Sequence, residues 1–283
     1  MKNSKALFDD FVNSISLRES RDEIESIAYL TFENIFGLSM TQVLAAKEIT
    51  DQSLVERLRD AARRINQHEP IQYILGEALF YNRSFIVNPS VLIPRPETEE
   101  LVRFVVNYTK ERRAKFTILD IGTGSGCIAV TLALELPTSK ILATDVSEGA
   151  LRVAEANARK FNAIVNLQKH DVLHEALAFS TDVIVSNPPY IGRDERDLTP
   201  INVSKYEPAL ALFADSDDPL IFYKALVKRA GESLRPNGLL AVEINERFGR
   251  EVSFLLDEYR FREVDVLKDF CGKDRIVKGI LTS

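Results

Sequence analysis

Four consecutive residues, Asn187-Pro188-Pro189-Tyr190, bring together groups that can hold and orient an NH2 group. They directly follow a strand-like run, Asp182–Ser186. The two prolines fix the backbone, so the Asn187 carboxamide and the Pro188 carbonyl are pre-aimed. Both oxygens can accept hydrogen bonds from a single NH2 group. Such a grip draws the nitrogen from planarity and directs its lone pair at an electrophile. Tyr190 offers a flat face on which a planar amide or base can stack. An amide nitrogen is a poor nucleophile, so positioning and stabilisation of developing charge must supply most of the catalysis. No general base is evident and none is needed before transfer, because an alkylated amide nitrogen is acidic and releases its proton afterwards.

The electrophile is indicated by a second motif, Asp120-Ile121-Gly122-Thr123-Gly124-Ser125-Gly126, between a strand and a helix. Glycines here let the backbone turn sharply and approach a ligand, while the helix N-terminus presents unpaired N–H groups. A dinucleotide fingerprint would place its third glycine at position 127, where Cys127 stands. The loop instead resembles the D-x-G-x-G-x-G pattern of S-adenosylmethionine-dependent enzymes, whose sulfonium methyl is the electrophile. Asp145, ending the second strand, is placed to accept hydrogen bonds from both ribose hydroxyls. Asp171, after the third strand, is expected to accept from the adenine amino group, with Val172 against the base.

Strand-like runs span Phe116–Asp120, Ile141–Asp145, Asn166–His170, Asp182–Ser186, Leu239–Ile244, Glu263–Leu267 and Ile276–Leu281. Helical patterns such as Glu148–Lys160 and Pro219–Leu234 alternate with most of them, which predicts a doubly wound α/β sheet with ligands at the strand ends. The last two strands have no helix between them and are expected to form an antiparallel pair at one edge. The first 70 residues read as helical, with no strand-like run. Ser20-Arg21-Asp22-Glu23 opens a helix carrying Ile24, Ile27, Ala28 and Ile35 and ending at Gly37. A second stripe, Leu54, Leu58, Ala61 and Ile65, closes at Pro70. Phe85-Ile86-Val87 and Val91-Leu92-Ile93 flank Asn88-Pro89-Ser90 and predict a β-hairpin, with a helix from Glu97 to about Arg113. The expected organisation is a small helical domain over 1–75, a hairpin linker over 76–96 and a seven-stranded catalytic domain over 97–283.

Composition narrows the class. The 283 residues carry a net charge of −6, which argues against a partner held mainly through phosphates. Two cysteines and three histidines show neither a disulfide framework nor metal-ligand spacing, so no metal and a reducing cytoplasm are expected. No apolar run reaches the roughly 18 residues of a membrane span, and the start does not read as a signal peptide.

On these motifs the sequence resembles the release factor glutamine methyltransferases. The resemblance also runs through Pro70-Ile71-Gln72-Tyr73-Ile74-Leu75-Gly76, Leu92-Ile93-Pro94-Arg95-Pro96-Glu97-Thr98-Glu99, Tyr206-Glu207-Pro208 and Asp269-Phe270-Cys271-Gly272-Lys273-Asp274-Arg275. It implies methylation of the side-chain nitrogen (N5) of the glutamine in the Gly-Gly-Gln loop of bacterial peptide chain release factors. It further implies that the helical N-terminal domain contacts the release factor, with no direct nucleic-acid or membrane partner; a monomer is the expected state. Cofactor contacts carry over to Ile121, Gly122, Thr123, Gly124, Ser125, Asp145, Val172 and Asn187. Substrate contacts carry over to Asn187, Pro188, Pro189 and Tyr190, of which Asn187, Pro188 and Tyr190 are the candidate catalytic residues. Two residues depart from the family pattern: Val172 replaces a frequent aromatic, and Asn245 follows Glu243-Ile244 where glycine is usual. Competing readings are a glutamine methyltransferase of a ribosomal protein, an N6-adenine nucleic-acid methyltransferase, and an adenosine-binding module or NAD enzyme. The helical start and the Pro94–Glu99 segment favour the release factor, the acidic balance disfavours nucleic acid, and Cys127 disfavours NAD.

Overall fold

The computed structural model describes residues 2–112, 115–192, 195, 198–214 and 218–282. Polar caps and apolar stripes shape its first unit, Met1–Glu77 with Pro200–Tyr206. Helices α1 (Ser4–Ser14), α2 (Arg21–Phe36), α3 (Met40–Leu44), α4 (Gln52–Ile65) and α5 (Ile71–Leu75) follow one another. Ser20 Oγ accepts the Glu23 N–H at 3.3 Å to start α2, and Gly37 ends it in the left-handed conformation at φ +64°. Asp51 starts α4 by accepting the Ser53 N–H at 2.9 Å. Ile24, Ala28 and Ile35 of α2 and Leu58, Ala61 and Ile65 of α4 are buried together, whereas Leu54 is only partly covered and Val55 lies inside. Phe32 packs edge-on against Phe8 and Phe11, with ring centroids 5.4 and 6.2 Å away. The expectation of no strand before residue 70 is corrected in one detail. Two-residue strands β1 (Lys2–Asn3) and β2 (Glu48–Ile49) pair antiparallel, too short to leave an alternating pattern.

Next come β3 (Glu77–Phe80) and β4 (Arg83–Ile86), a two-stranded sheet. Tyr81 and Asn82 between them have φ of +51° and +57°, as a two-residue turn that matches strand twist requires. The hairpin thus lies earlier than Phe85–Ile93. Asn88-Pro89-Ser90 does turn, with the Val91 N–H donating to Asn88 O at 3.1 Å. Val91–Ile93 nevertheless forms no strand: the Ile93 N–H goes to the Glu207 carboxylate at 3.1 Å, and Pro94 has no N–H to give.

The second unit is Ala78–Thr199 with Glu207–Ser283. Its helices are α6 (Thr98–Arg112), α7 (Cys127–Glu135) and α8 (Glu148–Lys160), then, after α9 (Ile201–Tyr206) of the first unit, α10 (Ala209–Leu212), α11 (Ile221–Ser233) and α12 (Gly249–Glu258). The strands are β5 (Thr117–Ile121), β6 (Lys140–Asp145), β7 (Val165–Lys169), β8 (Thr181–Ser186), β9 (Leu234–Glu243), β10 (Phe261–Lys268) and β11 (Asp274–Leu281). They form one sheet in the order β10-β11-β9-β8-β5-β6-β7. Strands β5 to β9 are mutually parallel, and β11 runs antiparallel to both β9 and β10, giving the expected antiparallel pair at one edge. Because side chains alternate along a strand, Ile118, Ala143, Val183 and Ala241 pack under α6 and α7. Leu119, Leu142, Ile184 and Leu240 pack under α11 and α12 on the other face. The sheet is doubly wound.

Asn157, fully buried on α8, joins three pieces of this unit. Its Oδ1 accepts the Ile86 N–H at 2.7 Å, and its Nδ2 donates to Ile86 O at 2.9 Å and Ser125 O at 2.8 Å. Replacing it by leucine of similar volume strands those backbone groups in an apolar interior. Asn157→Leu should lower stability by about 2–4 kcal/mol in urea denaturation followed by circular dichroism. A loss under about 0.5 kcal/mol would show that water or main-chain shifts replace the amide.

Candidate active site

Register brings the motifs together. Ile121 of β5 pairs with Thr144 of β6 and Ser186 of β8, Ser186 pairs with Val242 of β9, and Asp145 pairs with Lys169 of β7. The segments after these residues therefore leave the sheet along one edge. A cavity there is lined by Ile121–Ser125, Asp145, Asp171, Val172 and Asn187–Pro189, among others.

Gly122 and Gly124 have φ of +73° and +54°, and a Cβ at either would meet nothing within 4 Å. Backbone conformation rather than crowding demands glycine there, and the loop main chain stays open to the cavity. Gly126 differs: its φ is +79° and a Cβ would lie 3.0 Å from Ala154 Cβ on α8. It fills the helix-packing role of a third glycine one position earlier than a dinucleotide loop would. Asp120 is wholly buried and accepts from Thr123 Oγ1 at 2.6 Å. Burial pushes its carboxyl up to about 7, against the pull of the Thr123 hydrogen bond. It braces the loop from behind.

Asp145 Oδ2 accepts the Gly124 N–H at 2.9 Å and Oδ1 accepts the Ser147 N–H at 2.8 Å. The carboxylate thus fastens the glycine loop to the next loop while lining the cavity, and burial raises its pKa. Asp171 is engaged locally, with Oδ1 accepting from Leu173 N–H at 2.9 Å and Oδ2 2.8 Å from His174 Nδ1. Burial opposes its charge, yet the His174 and Leu173 hydrogen bonds hold its carboxyl below the usual range. The Val172 carbonyl accepts from Arg229 Nε at 3.2 Å and its side chain packs against the core.

On the other wall, Asn187 Nδ2 donates to Thr98 Oγ1 at 3.1 Å, and Thr98 Oγ1 donates to Glu243 Oε2 at 2.7 Å. Thr98 and Glu243 are both buried. Tyr190, alone among the four residues after β8, does not line the cavity; its ring packs against the core beside β9 and α11. Burial, reinforced by the Glu243 charge, pushes its phenol up to about 12. One ion pair joins distant segments beside this wall, and another orders the turn before β11. Arg95 meets buried Glu207 at 2.6 Å, and Arg275 meets Asp269 at 3.1 Å. Asp269 Oδ1 also accepts the Cys271 and Lys273 N–H groups, and the Phe270 N–H donates to Glu100 Oε1 at 3.2 Å. Residue type alone does not mark Thr98, Glu207 or Glu243 as functional. Their signal was membership of, or adjacency to, the segments that carry the family resemblance.

Two family models match, "Methyltransferase small domain" over residues 101–201 and "PrmC N-terminal domain" over residues 14–76. A release factor glutamine methyltransferase of Bacteroides thetaiotaomicron is 40% identical, the match covering 90% of this chain and 92% of that protein. The chain belongs to the release factor glutamine methyltransferase family. Among solved structures, a methyltransferase from Pyrococcus furiosus shares the fold at a TM-score of 0.52 and 20% identity, over 79% of this chain and 99% of that one. A 16S rRNA N2 methyltransferase of T. thermophilus, solved with AdoMet and guanosine, does so at 0.53 and 16% identity, over 72% of this chain and 49% of that one.

The cavity suits the family's methyl donor, S-adenosylmethionine. Open glycine backbone, the N-terminus of α7 and the Asp145 carboxylate supply a cradle, amide donors and a charged acceptor. The departures from the family pattern are accommodated locally. Asn245 sits at φ −64°, which any residue adopts, and its side chain accepts the Arg247 N–H at 3.1 Å. Among the described residues no cluster of His, Cys, Asp and Glu is arranged to hold a metal ion, and no helix is long and apolar enough to cross a membrane.

Because both Asp145 oxygens accept backbone N–H groups, asparagine cannot replace it. Whichever way its amide turned, its NH2 would oppose an N–H donor. Asp145→Asn and Asp145→Ala should both lower S-adenosylmethionine affinity roughly 10- to 100-fold by calorimetry, and both should melt earlier than wild type because the Gly124 and Ser147 N–H groups lose their acceptor. Wild-type affinity in Asp145→Asn would remove the carboxylate from the cofactor site.

Proposed function

We propose that this enzyme transfers the methyl group of S-adenosylmethionine to the side-chain nitrogen (N5) of the glutamine in the Gly-Gly-Gln loop of bacterial peptide chain release factors. The reading is carried by the Asn187 carboxamide, whose NH2 end is tied to Thr98 at 3.1 Å on the wall of the cavity that the glycine loop also lines. Bound S-adenosylmethionine supplies an electrophilic methyl on a sulfonium. Asn187 Oδ1 and the Pro188 carbonyl accept the two hydrogens of the substrate amide and orient its nitrogen. Pro188 and Pro189 hold that pair rigid, so little ordering is left to the moment of reaction. The grip gains strength as positive charge develops on the nitrogen, which lowers the barrier rather than only tightening binding. Tyr190 is proposed to complete the substrate-binding motif from behind the two prolines, its ring resting on the core and not on the cavity wall.

The cofactor residues on this reading are Ile121–Ser125, Asp145, Asp171, Val172 and Asn187, with Asn187–Tyr190 for the substrate. The helical domain, residues 1–75, is the proposed release-factor contact, joined to the catalytic domain, 97–283, through the 76–96 segment. The net charge of −6 supports a protein substrate over nucleic acid. We place the reaction in the cytoplasm, carried out by a monomer.

Incubation with a bacterial release factor and S-adenosylmethionine should add about 14 Da, one methylene equivalent, to the peptide containing Gly-Gly-Gln, located on the glutamine by fragmentation mass spectrometry. Methyl label appearing instead in nucleic acid or a ribosomal protein would overturn the substrate assignment.

A further inference from the structure

A carboxamide can be turned end for end, and its two ends do opposite things. The Asn187 oxygen accepts from a substrate NH2, whereas its own NH2 would repel one. The choice is made by the chain Asn187–Thr98–Glu243. The Thr98 hydroxyl has one hydrogen to give. An ionised Glu243 carboxylate, 2.7 Å away at Oε2, has none, so it takes that hydrogen. Thr98 Oγ1 then offers only lone pairs to Asn187 at 3.1 Å, and the end of the amide facing it must be Nδ2. Oδ1 is left for the cavity. We propose that Thr98 and Glu243 are positioning residues that fix the polarity of the Asn187 carboxamide, presenting its oxygen to the substrate nitrogen. The inference rests on the reading of Asn187 as that nitrogen's acceptor.

The cost of the arrangement supports this. Glu243 is 1% exposed, and its Oε1 has no hydrogen-bond partner among the described residues. A carboxylate so placed returns little stability, because desolvation outweighs what one hydrogen bond restores. The groups facing it are Arg95, Glu97 and Thr98 before and at the start of α6, Arg275 on β11, Tyr190 after β8, Tyr223 on α11 and Cys127 on α7. Burial pushes its carboxyl up to about 7, opposed by Thr98 and Arg275. Below that pH the carboxyl carries a proton and can donate to Thr98. The Thr98 hydrogen is then released towards Asn187, and the reversed amide is accepted equally well. Above it only one orientation is satisfied. Methyl transfer should therefore rise with pH through about 7 and then level off.

Steady-state kinetics and NMR of the full chain, with asparagine side chains labelled, test this together. Glu243→Gln keeps the shape but can offer Thr98 either an acceptor or a donor. It should lower kcat about two-fold, because either amide orientation is then equally satisfied and about half the enzyme is competent, with little change in KM for the release factor, and it should flatten the acidic limb of the pH profile. Its melting temperature at pH 8 should be no lower than wild type, since a buried charge has been removed. Thr98→Ser should retain most of kcat, whereas Thr98→Val, with the same shape and no hydroxyl, should not. In wild type an Asn187 side-chain N–H resonance should titrate near pH 7, and in Glu243→Gln it should not. That resonance needs no substrate, so its titration in an enzyme that methylates no release factor would sink the substrate reading and support the polarity relay. Equal activity of Thr98→Val and Thr98→Ser would overturn the relay. So would wild-type kcat and pH profile in Glu243→Gln, or an inactive Glu243→Gln that melts earlier while Asn187 titrates unchanged.

Discussion

Parallel register is the constraint on which the site depends. Ile121, Thr144, Ser186 and Val242 stand level across four neighbouring strands, β6, β5, β8 and β9. Parallel strands all point the same way, so the chain leaves each at the same edge. The glycine loop, Asp145, Asn187 and Glu243 are thereby delivered within a residue or so of that line, although 121 positions separate Gly122 from Glu243, the last residue of β9. A one-residue slip in β8 would carry Asn187 along the edge and turn its side chain to the other face.

Buried carboxylates then hold what the sheet alone cannot. Glu207 gathers Ile93 and Arg95, Asp269 gathers Arg275 and its own loop, and Glu243 reaches Thr98. Asp269 orders the turn that it belongs to, whereas Glu207 and Glu243 tie groups distant in sequence together beside the cavity. On the opposite side Asn157 does this with an amide, binding β4 and the glycine loop to α8. The reacting centre is thus framed by polar groups inside an apolar core, where hydrogen bonds are strong and unpaired groups costly.

Much of this was legible in residue order because local rules governed it. The inner strands of the parallel sheet are buried on both faces and read as short apolar runs, whereas the edge strand β7 is largely exposed; the caps at Ser20 and Gly37 declare themselves. The glycine loop and Asn187–Tyr190 are contiguous, so their chemistry could be read before their place. What escaped depends on remote partners. Thr98 meets a glutamate 145 residues away, and Glu207 takes an N–H 114 residues away, and neither pairing leaves a periodic trace. Local signals put the hairpin too late, because Asn88-Pro89-Ser90 is a stronger turn signal than Tyr81-Asn82. The deciding factor was Glu207 capturing the Ile93 N–H, which no local rule announces. Residue type marks Tyr190 as a flat face for stacking, but its position after β8 also lets the ring settle on the core.

The strand order carries a consequence for synthesis. In the sheet β10 lies at the edge and hydrogen-bonds only to β11, which inserts between it and β9. A nascent chain emerges β9 first, then β10, then β11. When β10 appears its only partner does not yet exist, and the open edge of β9 is the wrong neighbour. At roughly 5–20 residues per second, the loop and strand that follow take on the order of a second to arrive. For that interval two strand edges stand unpaired, and β10 must be kept off β9 if the last strand is to find its slot. The hairpin of β10 and β11 therefore closes the sheet as a wedge, its second strand entering between two already made.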